Sequence, residues 1–131
     1  MPWVEVFTVL VIAHLVGDFL LQTEWQATNK HGGLGGDPVK RRALIMHILT
    51  YAIPFVPAFI WVADEETAGN AIAAAVIVLG THLVQDDGRA LTWYVLRVKK
   101  TSAAFGSVLW VAIDQSLHIA WLFAAALVAV A

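Results

Sequence analysis

Four long apolar segments constrain this chain more than any other feature of its sequence. They cover about residues 3–22, 43–62, 69–87 and 104–130, and few charged residues interrupt them. A helix needs about 20 residues to cross the hydrocarbon core of a bilayer, and tilt accommodates the shorter third segment. Charged residues make up only 14% of the chain, against about a quarter in soluble domains. The sequence therefore predicts an all-α polytopic membrane protein, with residues 1–131 forming one domain built as an up-down bundle of four transmembrane helices.

The polar connections between these segments differ in character. Residues 23–42 contain two Gly-Gly pairs and an Asp-Pro pair, which predict a loop. Residues 86–102 mix cations with Trp93 and Tyr94, which predict an interfacial helix between transmembrane helices 3 and 4. In the second segment, Pro54 and Pro57 predict a kink, because proline removes a backbone hydrogen bond.

The cations indicate how the chain is oriented. All eight lie in the first and third connections or at their borders: Lys30, Lys40, Arg41, Arg42, Arg89, Arg97, Lys99 and Lys100. In an up-down bundle these two connections share a face, and the opposite face carries acidic residues and no cation. The positive-inside rule then predicts a multi-pass protein of the inner (cytoplasmic) membrane, with both termini outside and the two long loops in the cytoplasm.

Ionisable side chains recur inside the apolar segments at helical spacing. Each segment carries one histidine, and three of these have an aspartate four residues away, so that both side chains share a helix face. The pairs are His14–Asp18, His82–Asp86 and Asp114–His118, and His47 completes the group. At about 1.5 Å rise per residue, the groups of the first three segments lie near the cytoplasmic end, whereas His118 lies deeper unless its helix begins late. An ionisable group at mid-membrane costs about 2.5–3.5 kcal/mol, so these side chains are expected to face inward and meet.

A divalent metal ion explains this pattern most economically. Imidazole and carboxylate ligands suit zinc, with manganese or iron as alternatives. The predicted ligands are His14, Asp18, His47, His82, Asp86, Asp114 and His118. Seven groups exceed the four of a closed zinc site, so we expect one or two ions, with Asp86 or Asp114 as the candidate catalytic base. Hydrogen-bonded struts between helices and a proton relay remain open as alternatives. The chain has no cysteine, which excludes thiolate ligands.

Two short peptides indicate an internal repeat. HLVGD at residues 14–18 and HLVQD at residues 82–86 differ at one position of five. Each begins a half of the chain with the same orientation, which is typical of a duplicated helical hairpin related by an axis along the membrane normal.

Four sequence blocks carry a resemblance to a known family. They are HLVGDFLLQTEWQATNK from residue 14, MHILTY from residue 46, THLVQD from residue 81 and DQSLH from residue 114. In this order, over nearly the whole chain, they resemble an uncharacterised family of small bacterial and phage membrane proteins, known only as a domain of unknown function. The motif His and Asp residues of that family correspond to the seven predicted ligands. A more distant similarity to predicted membrane-bound metal-dependent hydrolases implies hydrolysis.

Three functions follow from these features. The first is a metal-dependent hydrolase acting on an anionic amphiphilic substrate, which the basic loops collect from the inner leaflet. The second is transport or binding of a divalent cation or protons, although transporter sites usually lie nearer the midplane. The third is a structural membrane subunit held by a His–Asp network. Membrane lipids are the expected partners, a homo-oligomer is compatible with all three, and no feature indicates nucleic-acid binding.

Overall fold

The computed structural model describes all 131 residues, and every regular element in it is helical. The helices are α1 (Trp3–Leu15), α2 (Glu24–Asn29), α3 (Pro38–Ala52), α4 (Phe55–Glu65), α5 (Ala68–Asp86), α6 (Arg89–Trp93) and α7 (Val108–Ala129). Helices α1 and α6 continue directly into π-helical turns, at Val16–Leu20 and Tyr94–Val98. The prediction of an all-α protein is confirmed.

Three helical stretches are long and apolar enough to cross a membrane. They are Trp3–Leu20, Ala68–Asp86 and Val108–Ala129, and the bent pair of α3 and α4 would make a fourth if it counts as one span. The outward faces of these helices are apolar, with Leu49, Ile72 and Val76 each 64–67% exposed. Such faces are unfavourable in water and suit a lipid environment, which is consistent with a membrane protein.

The second apolar segment contains a bend. Helix α3 ends at Ala52, α4 begins at Phe55, and their axes differ by 49°. Pro54 lies in the break, where its lack of an N–H removes one helical hydrogen bond. Pro57 lies in the first turn of α4, where no such bond is needed. The predicted kink is therefore present, and Pro54 accounts for it.

Three of the expected boundaries differ from the structure. Helix α3 begins at Pro38 rather than near residue 43, because the Asp37 side chain caps its first turn. Residues 23–42 are not one loop, because α2 forms within them, with its Thr23 cap accepting from the N–H of Gln26 while the Gln26 side chain accepts from the N–H of Thr23. Helix α7 begins at Val108 rather than near residue 104, because the Ser107 side chain caps its first turn. The later start brings Asp114 and His118 closer to the helix end, as a shared site requires.

One apolar core joins the four long helical segments. Helix α5 packs on α7 and α4, and α1 packs on α7. Small side chains dominate where α5 meets α7 and allow the helices to approach closely. The core residues are Val6, Leu10, Ala13, Tyr51, Phe55, Ala58, Val62, Ala71, Ala74, Val78, Leu122, Ala125, Ala126 and Ala129.

Polar contacts identify the two ends of the molecule. At one end, the Met1 ammonium lies 2.5 Å from Glu66 Oε1, and the Asn70 amide donates to the carbonyl of Ala131. Both terminal residues therefore lie beside the turn between α4 and α5. The connections 21–37 and 87–107 meet at the other end.

The segment 30–34 docks against the corner between α5 and α6. Asp87 accepts from the N–H of Leu34 through Oδ1 and from the N–H of Gly32 through its carbonyl. Gly88 has φ +80°, and a Cβ there would lie 2.2 Å from His31 Nδ1, so only glycine fits this corner. This docking carries Lys30 to the buried end of α5.

Candidate metal centre

Four side-chain atoms converge between α1, α3 and α5. They belong to Asp18, His47, His82 and Asp86, which we call the tetrad, and each of these residues is at most 6% exposed. His47 Nε2 lies 3.0 Å from His82 Nε2, 2.7 Å from Asp86 Oδ2 and 3.2 Å from Asp18 Oδ1. His82 Nε2 lies 3.1 Å from Asp86 Oδ2 and 3.4 Å from Asp18 Oδ1.

The spacing of the tetrad fits a tetrahedral metal site. Zinc bonds of about 2.0–2.1 Å in tetrahedral geometry place ligand atoms about 3.3 Å apart. The five distances above run from 2.7 to 3.4 Å, and all four atoms lie within 4.8 Å of one another. The buried Asp18 Oδ1 has no hydrogen-bond partner, which costs about 1–3 kcal/mol. A cation among these atoms would satisfy it, and the donor set of two imidazoles and two carboxylates suits zinc, manganese or iron.

A π-helical turn presents Asp18 to the tetrad. The N–H of Leu21 bonds the carbonyl of Val16 at 3.0 Å, which inserts one extra residue into the turn. Gly17 allows α3 to approach closely, because a Cβ there would lie 2.7 Å from Tyr51 Cδ2. The other acid, Asp86, needs no such device, since it lies one regular turn after His82 on α5.

His14 lies beside the tetrad, and hydrogen bonds engage both of its ring nitrogens. Gln115 Oε1 can only accept, so His14 Nε2 donates to it at 2.9 Å. His14 Nδ1 then accepts from the Tyr51 hydroxyl at 3.0 Å. A nitrogen of His14 lies within 4.8 Å of nitrogens of His82 and His118, but this arrangement leaves it no free lone pair.

Asp114 and His118 lie on the other side of His82. His118 Nδ1 is 3.2 Å from His82 Nδ1, and His118 Nε2 is 3.4 Å from Asp86 Oδ1 and 3.6 Å from Asp114 Oδ1. His118 is 3% exposed, whereas the Asp114 side chain is 21% exposed. The structure thus gathers all seven predicted residues, but in two overlapping sets that share Asp86, with His14 at the edge.

Two glutamines and a tyrosine hold the acids and histidines in place. Gln115 Nε2 donates to Asp18 Oδ2 at 3.1 Å and to Asp114 Oδ2 at 3.3 Å. Gln85 Nε2 donates to Asp114 Oδ1 at 3.1 Å. The Tyr51 ring stacks on His82 with centroids 3.5 Å apart. Such outer contacts fix the orientation of ligands and tune their affinity for metal.

Lys30 is a buried member of the cluster that sequence reasoning missed. Its Nζ lies 2.7 Å from Asp86 Oδ2 and 2.5 Å from Gln22 Oε1. From the sequence, Lys30 is only one of the eight cations that indicate the orientation of the chain. The signal that could have found it is the pattern Thr23-x-x-Gln26, a capping box that starts α2 and so turns Lys30 inward.

The charges of the cluster match a divalent ion. Asp18, Asp86 and Asp114 supply three carboxylates, and Lys30 supplies one ammonium. Histidine binds metal in its neutral form. With neutral histidines, the cluster has a net charge of two negative units. One divalent cation would neutralise them, and buried charges need such compensation.

An ion pair between Asp87 and Arg89 lies at the surface beside the cluster. Burial raises the pKa of Asp87, but hydrogen bonds from Arg89 and from the N–H of Leu34 outweigh it, so that this pKa lies below its ordinary value. Burial, followed by the nearby Lys30 charge, lowers the pKa of His31. Asp87 therefore stays ionised and keeps segment 30–34, with Lys30, against the cluster.

A small cavity connects the cluster to this end of the molecule. Its volume is about 140 Å³, and its lining includes Gln22, Lys30, His31, Asp86, Trp110 and Asp114. It gives a small ion or an anionic group a route to Asp86 and Asp114, past Lys30.

Comparison with known proteins identifies the family. Residues 6–131 match the family described as "Protein of unknown function (DUF3307)", and the chain therefore belongs to that family. No curated protein and no solved structure matches the chain. The resemblance to a family of unknown function is confirmed, and the comparisons give no support to the hydrolase likeness.

Proposed function

We propose that this member of the family is an integral membrane metalloprotein that holds a divalent cation in the tetrad. The observation that carries the proposal is the convergence of His47 Nε2, His82 Nε2 and the two acids, with Asp18 Oδ1 buried and unpartnered. Zinc is the first choice because the spacing is tetrahedral, and manganese or iron are the alternatives. When bound, such an ion would act as a Lewis acid only toward a fifth ligand, because the four tetrad atoms fill a tetrahedral shell.

The proposed arrangement in the membrane is an up-down bundle of four spans. The bent pair α3–α4 counts here as the second span, and α6 with its π-helical turn lies at the interface. Contacts at the Met1 and Ala131 end support alternating directions of the spans. With the cationic connections in the cytoplasm of the cell and both termini outside, the tetrad lies in the cytoplasmic half of the inner membrane. The repeat of HLVGD and HLVQD supports a duplicated hairpin.

Hydrolysis of an anionic amphiphile is the candidate activity for this centre. The cavity beside Asp114 supports it, because it opens at the end that carries the cations. Lys30 would meet an anionic group there, and the half-buried Asp114 lies at the cavity wall. Asp86 is a ligand in the proposed site, because its Oδ2 belongs to the tetrad, and Asp114 at the cavity wall is then the candidate general base.

Cation or proton transport is the second candidate, supported by the continuous polar chain from Tyr51 through His14, Gln115 and Asp114 to the cavity. Proteoliposomes separate the two activities. Product release from labelled anionic inner-leaflet lipids would support hydrolysis, whereas metal-ion or proton flux without product would support transport. A structural subunit predicts neither.

Elemental analysis tests the metal proposal itself. Purified wild-type protein, washed with metal-free buffer, is expected to retain one equivalent of divalent metal, and His82→Ala is expected to lose it. Asp64→Asn is the matched control, because Asp64 is exposed and away from the cluster. Absence of metal from the wild type, even after supplementation with zinc, manganese and iron, would contradict the proposal.

A further inference from the structure

We propose a second divalent-cation position, formed by Asp86 Oδ1, Asp114 Oδ1 and His118 Nε2, that cannot be filled while the tetrad holds an ion. We call these three residues the second set. This inference rests on the proposed tetrad site. The three atoms lie within 4.8 Å of one another, with His118 Nε2 3.4 Å from Asp86 and 3.6 Å from Asp114.

The second set has an unsatisfied atom that points to a ligand. His118 is 3% exposed, and its Nε2 has no hydrogen-bond partner. A buried nitrogen of this kind costs free energy unless a ligand satisfies it. Between two carboxylates, the fitting ligand is a cation. Asp114 is partly exposed at the wall of the 140 Å³ cavity, so this position has a more exposed ligand than any in the tetrad.

The contact between His82 and His118 couples the two positions. Their Nδ1 atoms lie 3.2 Å apart, so only one of them can carry a proton there without repulsion. An ion in the tetrad takes the lone pair of His82 Nε2, which leaves the proton of His82 on Nδ1. That Nδ1–H donates to His118 Nδ1, and the proton of His118 is then on Nε2, where it blocks the second set.

The reverse state follows by the same rule. An ion in the second set takes the lone pair of His118 Nε2, so His118 Nδ1–H donates to His82 Nδ1. The proton of His82 then lies on Nε2 and points into the tetrad, where it excludes a cation. Each neutral ring keeps one proton in both states. One ion therefore has two alternative positions that share Asp86, and its movement from the tetrad to the second set exchanges the tautomers of two histidines. The proton that leaves His118 Nε2 binds Asp86, whose oxygens lie 3.4 Å from His118 Nε2 and 3.1 Å from His82 Nε2, and passes from there to His82 Nε2.

Calorimetric titration of the full chain in detergent with Zn²⁺ tests this inference. The wild type is expected to bind one ion at saturation. His47→Ala removes a ligand of the tetrad only, so it is expected to bind one ion more than about a hundredfold more weakly, since even outer contacts account for 10–100-fold. Adding His118→Ala to His47→Ala is expected to abolish binding. Asp18→Asn, which also removes only a tetrad ligand, gives a second background if His47→Ala fails to fold.

The outcomes separate this inference from the proposed tetrad site. Two ions in the wild type would overturn mutual exclusion. No ion in either His47→Ala or Asp18→Asn, with both variants folded, would overturn the second position but leave the tetrad intact. No ion in the wild type would overturn the tetrad site itself. Asp64→Asn, changed at the opposite end, is expected to behave as the wild type.

Discussion

The two copies of the HLV-x-D peptide share four letters but occupy different environments. In the second copy, His82 and Asp86 both belong to the tetrad. In the first copy only Asp18 does, because His14 is engaged by Tyr51 and Gln115. Asp86 contacts the Lys30 ammonium, whereas Asp18 Oδ1 has no hydrogen-bond partner.

The one position at which the peptides differ accounts for much of this contrast. Gly17 lies in a π-helical turn and lets Tyr51 approach closely enough to bond His14. Gln85 lies on a regular helix, and its amide fixes Asp114 instead. The same His and Asp spacing therefore places both residues in the tetrad in one copy and only the aspartate in the other. The difference comes from one side chain, Gly17 or Gln85, and from one extra residue in the turn.

The largest expected effect is the difference between His82→Ala and His14→Ala. His82→Ala removes a metal ligand, so Zn²⁺ affinity is expected to fall by more than about a hundredfold. His14→Ala should change it by less than about tenfold, the lower bound for an outer contact, because His14 reaches the tetrad only through Gln115 and Tyr51. Competition with a zinc chelator measures both affinities. Equal losses would show that the two copies play the same role.

In the absence of metal, replacing Asp86 is expected to destabilise the protein more than replacing Asp18. Asp86→Asn leaves the buried Lys30 ammonium without its carboxylate and is expected to cost about 3 kcal/mol. Asp18→Asn leaves no buried ammonium without its carboxylate, and the new side chain can still accept from Gln115 Nε2, so it should cost less than about 1 kcal/mol. Unfolding by SDS in the presence of a chelator measures both values. A larger loss for Asp18→Asn would reverse this assignment.

Gly17→Ala tests whether the close approach of α3 defines the first copy. The new Cβ would lie 2.7 Å from Tyr51 Cδ2 and 3.1 Å from the Tyr51 carbonyl, and such overpacking costs about 1–3 kcal/mol. Gly80→Ala on α5 is the matched control, because its Cβ meets nothing within 4 Å; it should be neutral or stabilise by up to about 1 kcal/mol. Similar results for the two variants in SDS unfolding would refute the role of Gly17.

Tyr51→Phe is expected to have the smallest effect. It removes the hydroxyl that donates to His14 but keeps the ring stacked on His82. Stability should fall by about 1 kcal/mol, with Zn²⁺ affinity within about threefold of the wild type because no tetrad atom is lost. A loss of metal binding in Tyr51→Phe would show that the Tyr51–His14 hydrogen bond is required for the metal site.

Helical spacing and the cost of buried charge were enough to predict which residues meet. His82 and Asp86 lie one turn apart on α5, so turning one face of the helix inward hides both from lipid. The bend at Pro54 was also predictable, because proline acts locally, through its own missing N–H. The all-α fold followed from segment length and composition.

Contacts that depend on tertiary packing could not be predicted. The π-helical turn at Asp18 packs against Tyr51, which lies far away in sequence. Lys30 contacts Asp86 with the help of Asp87, which holds segment 30–34 against α5, a contact that the capping box of α2 alone does not reveal. The separate roles of His14 and His82 depend on which partners their ring nitrogens find, and spacing alone carries no such information.

X-ray absorption spectroscopy on protein loaded with one equivalent of Zn²⁺ tests the central claim most directly. The tetrad predicts four nitrogen or oxygen ligands at about 2.0–2.1 Å, with the outer-shell scattering of two imidazoles, reduced to one in His47→Ala. A spectrum of zinc coordinated by oxygen alone would contradict the account. Protein that binds no zinc when one equivalent is added would also contradict it.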